Sequence, residues 1–103
     1  MSRRAQEIQN ARKVARERDK ICLVCGKAPI DGAHYLGVNV YYRRYDPTNP
    51  DYVFGLCRWH HTGPNGYDRN TNPKARIKWL QDHRIDRLDR IAEKISWLVG
   101  FID

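Results

Sequence analysis

The sequence predicts one small α+β domain, because three stretches of different character follow one another along its 103 residues. Residues 1–20 are basic and repeat apolar side chains at helical spacing. Residues 21–60 hold every cysteine and several β-branched and aromatic segments, and residues 73–103 return to helical spacing. This length leaves room for a single domain. We therefore expect residues 1–103 to fold as one unit, with a basic helix over 1–20, a core over 21–72 and a helical tail over 73–103.

The amino-acid composition excludes several classes of protein. Three cysteines cannot all pair, which argues against a disulfide scaffold, and no stretch approaches the roughly 18 apolar residues of a membrane span. No apolar signal segment follows Met1, so we expect a cytoplasmic protein without a membrane partner. Lysine plus arginine number 19 against 12 aspartate plus glutamate, and the net charge of +7 favours a polyanionic partner, nucleic acid first.

The first twenty residues predict a basic amphipathic helix, with seven basic and three acidic residues for a net charge of +4. Its apolar stripe comprises Ala5, Ile8, Ala11, Val14 and Ala15. Such a helix either packs loosely on the domain as a solvated element or lies along phosphates. In the second case Arg12, Lys13 and Arg16 are the residues that we expect to contact nucleic acid.

The middle of the chain predicts short strands and loops. The segments rich in β-branched and aromatic residues, which are typical of strands, are Ile21–Val24, Tyr35–Tyr42 and Tyr52–Leu56. Two prolines make residues 46–51 a loop, and the glycine and proline cluster over residues 62–66 predicts a second loop.

The last third of the chain predicts helices. Asn72 before Pro73 is a favourable helix start, and the apolar spacing breaks near Asp82–Arg84, where we expect a bend. The apolar stripe beyond that bend comprises Ile85, Leu88, Ile91, Ala92, Ile95, Leu98, Val99 and Ile102. It is longer than so small a protein needs for itself, so it either folds back on the core or binds a second copy of the chain or another protein.

Two short pairs of residues have the spacing of a zinc site. Cys22 and Cys25 form a C-x2-C pair followed by Gly26, and Cys57 and His60 form a C-x2-H pair, with 31 residues between the two pairs. Tetrahedral Zn²⁺ takes four such N and S ligands, and the set uses every cysteine in the chain. We expect a structural zinc, because a closed four-ligand site leaves no position for catalysis and a core this small needs a staple.

Two further histidines, His34 and His61, fall beside these pairs. The full pattern runs through Cys22-x2-Cys25-Gly26, Gly32-Ala33-His34, Asn49-Pro50-Asp51-Tyr52, Cys57-x2-His60-His61 and Gly63-Pro64-Asn65-Gly66. Over roughly residues 20–82 it resembles the HNH endonucleases with a zinc-stapled ββα-metal core (the His-Me finger fold), in particular the small HNH proteins of phages and prophages. The resemblance implies metal-dependent hydrolysis of DNA phosphodiester bonds, in the host-cell cytoplasm if the protein is phage-encoded.

The resemblance also implies roles for individual residues. His34 matches the general-base histidine, whose ordinary pKa near operating pH suits that work. His61 matches the histidine that binds a catalytic divalent cation such as Mg²⁺, Mn²⁺ or Ni²⁺. Asp68 and Asn70 are candidates for the remaining ligands of that cation, with turn chemistry and helix capping as the alternative.

Two positions depart from the family pattern. Tyr52 stands where the family has an asparagine that orients the base, so Tyr52 and the neighbouring Asp51 join the candidate catalytic residues. Ala33 stands where the family often has a metal ligand. In an alternative register His34 binds the metal and Tyr35 is the base, which implies a weak or inactive enzyme, since tyrosine is a poor base at neutral pH. A nucleic-acid-binding or host-protein-binding module without cleavage is therefore the alternative function.

Arginines near the proposed site are expected to contact DNA phosphates. Arg43 and Arg44 lie in a tyrosine-rich loop, and Arg58 lies between two expected zinc ligands. In the alternative, the tyrosines cover the sheet and these arginines keep a turn soluble. Trp59 is expected in the core. On this resemblance, the protein bound by the C-terminal helix would be a second copy of the chain or another phage or host protein.

Overall fold

A computed structural model describes residues 2–36, 45–85 and 93 of the chain. In chain order, the elements are helix α1 (Arg3–Asp19), strand β1 (Asp31–His34), a 3₁₀ turn (Pro50–Tyr52), strand β2 (Val53–Leu56), helix α2 (Arg58–Thr62), a second 3₁₀ turn (Tyr67–Arg69) and helix α3 (Pro73–Asp82). The two strands pair antiparallel, with Asp31 opposite Leu56 and His34 opposite Val53. This arrangement of a two-stranded sheet with helices confirms the α+β prediction.

Helix α1 packs tightly across one face of the sheet. The Ser2 hydroxyl caps its start by accepting a hydrogen bond from the Ala5 N–H. Ala11 and Ala15 are buried against Val53 of β2, whereas Val14, predicted in the same apolar stripe, is 45% exposed. The helix is therefore an integral layer of the domain, with small side chains at the interface.

Two glycines form the surface on which α1 lies. Gly32 of β1 and Gly55 of β2 are cross-strand partners, so the same face of the sheet lacks side chains on both strands. A Cβ atom added to Gly32 would lie 2.9 Å from both Cα and Cβ of Arg12. At the other glycine, the backbone N–H of Gly55 donates to the carboxylate of Asp19 at 2.8 Å. The close approach of the α1 backbone to the sheet depends on these two positions.

Substitution of Gly32 by alanine is expected to destabilise the domain by about 1–3 kcal/mol, the usual cost of overpacking a well-packed interface. The added methyl group meets the backbone of Arg12, which cannot move aside as the end of a flexible side chain can. Denaturant-induced unfolding of the variant and the wild type measures the loss. An unchanged unfolding midpoint would contradict the close packing of α1 on β1.

The opposite face of the sheet carries an aromatic core. Phe54 stacks on Tyr35, with ring centroids 4.9 Å apart, and meets the edge of Tyr67 at 5.1 Å. Trp79 of α3 then packs edge-on against Tyr67 at 5.3 Å. The Tyr67 hydroxyl donates to the backbone carbonyl of Tyr35, so this buried polar group is satisfied. This core joins α3 and the second 3₁₀ turn to the sheet.

Several sequence predictions in the middle of the chain were wrong in detail. Ile21–Val24 forms a turn, because the Gly26 N–H donates to the Cys22 carbonyl at 2.8 Å and closes a loop around the cysteines. The strand predicted over residues 35–42 lies earlier, so that His34 ends β1, and residues 37–44 fall outside the described residues. The second strand begins at Val53, one residue later than predicted. Trp59 is 64% exposed and lies outside the core, because its position on the short helix α2 points it to solvent.

The start of the helical tail is as predicted. The Asn72 side chain caps α3 by accepting from the Ala75 N–H at 2.9 Å. The helix ends at Asp82, and Arg84 has a left-handed backbone with φ of 63°, which accounts for the predicted break.

Ile85, the first residue of the predicted apolar stripe, is buried in the core. Residues 86–92 and 94–103 lie outside the described part, and the rest of the stripe and its predicted protein partner concern that segment. No helix in the part of the chain that the structure describes has the length and apolar character to cross a membrane.

Candidate metal centre and adjoining histidine site

The first cysteine pair lies in a tight loop held against β2. Gly26 adopts φ of +74°, which lets the backbone turn sharply after Cys25. The Leu23 N–H donates to the Gly55 carbonyl at 3.1 Å and fixes the loop on the sheet.

Burial opposes ionisation of the Cys22 thiol, but backbone N–H groups that point at its sulfur outweigh that effect and lower its pKa. The loop therefore favours the thiolate form of Cys22, the form that binds metal. The backbone N–H of Lys27 lowers the pKa of Cys25, but desolvation and the neighbouring Cys22 and Cys57 outweigh it, so that this pKa is raised instead.

The second pair comes from the junction between β2 and α2. Cys57 occupies the N-cap position of α2, and His60 follows within the first turn. Burial, together with the nearby His83 and Lys27, lowers the pKa of His60 and favours the neutral imidazole that metal binding requires. The junction thereby brings one sulfur and one nitrogen to face the cysteine loop.

The four side chains fit a zinc ion. All four ligand atoms lie within 4.8 Å of one another. The Sγ atoms of Cys25 and Cys57 are 3.7 Å apart, and Nδ1 of His60 lies 3.7 Å from Cys22 Sγ and 3.3 Å from Cys57 Sγ. Zn–S bonds of about 2.3 Å and Zn–N bonds of about 2.0 Å, set at the tetrahedral angle, place neighbouring ligand atoms about 3.5–3.8 Å apart. The group therefore has the composition and spacing to bind a metal ion such as zinc.

His61 points away from this cluster, since successive residues of a helix are rotated by about 100°. Its Nδ1 lies 3.1 Å from Oδ2 of Asp31, and its Nε2 lies 2.9 Å from Oδ2 of Asp68. Burial lowers the pKa of His61, but the bonds to Asp68 and Asp31 outweigh burial and raise the pKa above its usual value. The imidazole is thus held between two carboxylates, one bonded to each ring nitrogen.

Asp31 was missed by the sequence analysis, although it is central to this site. Its carboxylate accepts from Nε of Arg58 at 2.8 Å and from the second guanidinium nitrogen at 3.3 Å, in addition to its contact with His61. Burial raises the pKa of Asp31, and these two partners outweigh that effect and lower it. The available signal was its position three residues before His34, at the start of the same strand.

His34 is buried at the end of β1, with 4% of its surface exposed. Its Nε2 lies 2.8 Å from the backbone carbonyl of Pro47, and a carbonyl can only accept, so Nε2 carries the proton. Burial is the main cause that lowers the pKa of His34 to about 4; the positive charges of Arg12 and His61 act in the same direction, and the Pro47 carbonyl and Asp68 oppose the shift. At neutral pH the ring is uncharged, with its lone pair on Nδ1.

Arg76 of α3 connects the two histidine environments and was also missed by sequence analysis. One of its terminal nitrogens donates to the His34 carbonyl at 3.1 Å and lies 3.5 Å from Oδ1 of Asp68. The guanidinium also lies over the ring of Tyr67, 5.0 Å from its centroid. Because Asp68 in turn contacts His61, one cation ties the end of β1 to the histidine of α2. The sequence carried no spacing signal for Arg76.

The structure gives different contacts for the other predicted site residues. Tyr52 packs against Tyr45, with ring centroids 5.3 Å apart, and Asp51 is exposed. The Asn70 side-chain amide donates to the Tyr67 carbonyl at 3.0 Å, which is turn chemistry. Within residues 2–36, 45–85 and 93, the three cysteines and His60 are the one group of three or more side chains able to hold a metal ion.

The predicted nucleic-acid contacts divide into two sets. Arg12, Arg16 and Arg58 line one pocket together with Asp31 and His61. Lys13 is exposed on α1 and does not line that pocket, and positions 43 and 44 fall outside the described residues.

No protein-family model matches this chain, and comparisons with curated proteins and with solved structures found no similar protein. The Cys₃His group beside a small sheet and helix is compatible with a zinc-binding fold.

The burial of His34 predicts a pH-dependent stability. Its pKa is about 4 in the folded protein against an ordinary 6.5, so between these values the unfolded chain binds a proton that the folded chain does not. The stabilising contribution is fully present above pH 6.5 and is lost as pH falls towards 4. Relative to a His34→Gln variant, the wild type is expected to lose about 2 kcal/mol between pH 7 and pH 5. Urea unfolding of both proteins at the two pH values measures this difference, and parallel curves would contradict it.

Proposed function

We propose that this protein is a metal-dependent endonuclease of the HNH type that hydrolyses phosphodiester bonds in DNA. The observation that carries the proposal is the placement of His61, which directly follows His60 of the Cys₃His group and lies between the carboxylates of Asp31 and Asp68. The buried, uncharged His34 lies close enough for the charges of His61 and Asp68 to affect its pKa. This combination supplies a proton acceptor and ligands for a divalent cation on one small scaffold.

His34 is the proposed general base. Its Nε2–H is held by the Pro47 carbonyl, which fixes the ring and leaves Nδ1 to accept a proton from the attacking water. The low pKa keeps the base unprotonated at neutral pH, and an approaching phosphate anion raises that pKa towards the working range. The carbonyl contact is thus a positioning device for the base.

His61 is the proposed cation ligand, together with Asp31 on one ring nitrogen or Asp68 on the other. A histidine with a carboxylate suits Mn²⁺ or Ni²⁺ as well as Mg²⁺. Such a cation stabilises the negative charge that develops on the phosphate and the leaving oxygen. Arg76 positions Asp68 for this role through its contact with that carboxylate.

The Cys₃His group is the proposed structural zinc site. It joins the loop after α1 to the junction of β2 and α2, and so fixes the helix that carries His61. In a domain of this size the free energy of zinc binding becomes folding free energy.

A nucleic-acid-binding module without cleavage is the second candidate function. The observation that favours it is the pairing of Asp31, whose two oxygens accept from Arg58 and whose Oδ2 also contacts His61, so that a cation would compete with both partners for this carboxylate. Tyr52, which stands at the position of the motif asparagine, packs against the ring of Tyr45.

Conversion of supercoiled plasmid to nicked or linear DNA tests the proposal. The purified protein is expected to cleave in Mn²⁺, Mg²⁺ or Ni²⁺ and to lose that activity when the cation is omitted. Binding of DNA without cleavage in any of the three cations would favour the second candidate.

A further inference from the structure

A basic pocket lies on the open side of β1, between helices α1 and α2. The cavity has a volume of about 320 Å³. We call it the arginine pocket, after Arg12, Arg16 and Arg58, which line it together with Gly32. It adjoins His61 but uses a helix, α1, that the proposed hydrolytic chemistry leaves without a role.

Three guanidinium groups converge on this pocket with little opposing charge. Arg12 and Arg16 are four residues apart, so they lie on one side of α1 about 6 Å apart along the helix axis. Among the residues lining the pocket, the one carboxylate is that of Asp31, which is paired with Arg58 and His61. The net charge of the lining therefore suits an anion.

Arg12 also carries a donor that lacks a partner. Its Nε is buried and has no hydrogen-bond partner within the described residues. A buried donor left unsatisfied costs free energy, and an anion accepting a hydrogen bond would recover it. The Arg12 backbone rests directly on Gly32, which fixes where the side chain begins.

The backbone of Gly32 adds a further donor. The N–H of Gly55 donates to Asp19 and its carbonyl accepts from Leu23, so both groups point away from β1. In an antiparallel ladder, pairs of opposite residues alternate between those that hydrogen-bond to each other and those whose N–H and C=O groups point away from each other. Gly32 and Gly55 form a pair of the second kind. The N–H and C=O of Gly32 accordingly point to the open side of β1, where the arginine pocket lies.

Resting on the proposed nuclease function, we infer that the arginine pocket binds one phosphodiester group of a DNA strand, beside the phosphate that is hydrolysed. Planar guanidinium forks and a backbone N–H match the geometry of phosphate oxygens. The net charge of +7 favours a polyanion over an isolated small anion. Helix α1 thus sets the path of the strand across the site.

The test measures DNA affinity as a function of salt, in EDTA so that cleavage plays no part. A fluorescent duplex oligonucleotide is titrated with the wild type and with Arg12→Gln, Arg16→Gln and Lys74→Gln. Each arginine variant is expected to weaken binding about tenfold and to reduce the slope of log K against log [salt] by about 0.9. Lys74→Gln removes the same charge from an exposed position of helix α3 outside the pocket and is expected to leave the slope unchanged.

Equal losses in all three variants would overturn the inference in favour of a diffuse basic surface, as would unchanged slopes in both arginine variants. Thermal melting shows whether Arg12→Gln alters folding. Arg16 is exposed, so Arg16→Gln carries the test if it does. In a separate arm, inorganic phosphate is titrated into the wild type. Binding of inorganic phosphate without binding of the oligonucleotide would also overturn the inference. If the wild type does not cleave plasmid but the arginine variants still show the expected reduction in salt slope, the nuclease proposal is refuted and the phosphate-binding inference is not.

Discussion

Replacement of His60 by glutamine is expected to abolish stoichiometric zinc binding and to destabilise the domain by at least about 3 kcal/mol. Zinc binding contributes roughly 10–16 kcal/mol in small zinc domains, which is comparable to the whole stability of a typical fold. The substitution leaves three sulfurs and removes the nitrogen that lies 3.3 Å from Cys57 Sγ. For a domain of about this length, such a loss lowers the melting temperature by about 12–24 °C.

His83→Gln is the matched control for this prediction. The ring of His83 lies 6.2 Å from that of His60, so the control makes the same substitution next to the cluster and outside it. Native mass spectrometry is expected to give one zinc per chain for the wild type and His83→Gln, and none for His60→Gln. Retention of zinc and of the melting temperature by His60→Gln would contradict a structural zinc at this group.

Chelation of the wild type provides an independent test of the same site. Removal of zinc is expected to convert the circular dichroism spectrum towards that of an unfolded chain, with recovery when zinc is added back. All three cysteines belong to the cluster and none is in a disulfide, and a reducing agent keeps the thiols in that state while the metal is absent.

Loss of either proposed catalytic histidine is expected to reduce plasmid cleavage by about 10²–10⁴-fold. His34→Ala removes the proton acceptor fixed by Pro47, and His61→Ala removes the imidazole held between Asp31 and Asp68. Neither residue belongs to the Cys₃His group, so both variants are expected to bind zinc as the wild type does. First-order rates of nicking in saturating Mn²⁺ measure the effect.

His83→Ala is the control for these two variants, because it removes an imidazole that stacks on Trp79 away from Asp31 and Asp68. Its cleavage rate is expected to stay within a few-fold of the wild type. Since His34 is buried, His34→Ala is also checked by its melting curve, and His61→Ala carries the test where folding fails. Equal cleavage by the wild type and both variants would point to a contaminating nuclease and refute the catalytic roles.

The four residues of the Cys₃His group could be predicted from the sequence. Cys22 and Cys25 are separated by two residues, as are Cys57 and His60, and each pair lies within a single turn of backbone. Such local spacing determines which side chains converge within a pair, and the need of a tetrahedral metal ion for four ligands predicted that the two pairs meet. The helix starts at Ser2 and Asn72 could also be predicted from local sequence, because an N-cap side chain accepts its hydrogen bond from an N–H three residues later.

The carboxylates of the histidine site could be predicted only in part. Asp68 was a candidate ligand for His61 because it follows seven residues later, but Asp31 was not, because 30 residues separate it from His61. A strand was predicted over residues 35–42 from their aromatic and β-branched side chains, and this position was wrong, because the strand ends at His34 and Tyr35 packs in the aromatic core immediately after it. Because the strand was predicted too far along the chain, Asp31 was not expected to lie beside α2.

The sequence by itself determined the two ligand pairs of the Cys₃His group, the basic helix α1 and the start and end of α3, because the residues of each pair and the ends of each helix depend on neighbours a few residues away. Only the tertiary structure decided that Arg76 joins His34 to Asp68 and that Arg12 lies over Gly32. These contacts depend on which faces of the sheet and helices pack together. That choice follows from the burial of the whole aromatic core and from two glycines that let a helix approach the strands, and no local spacing records it.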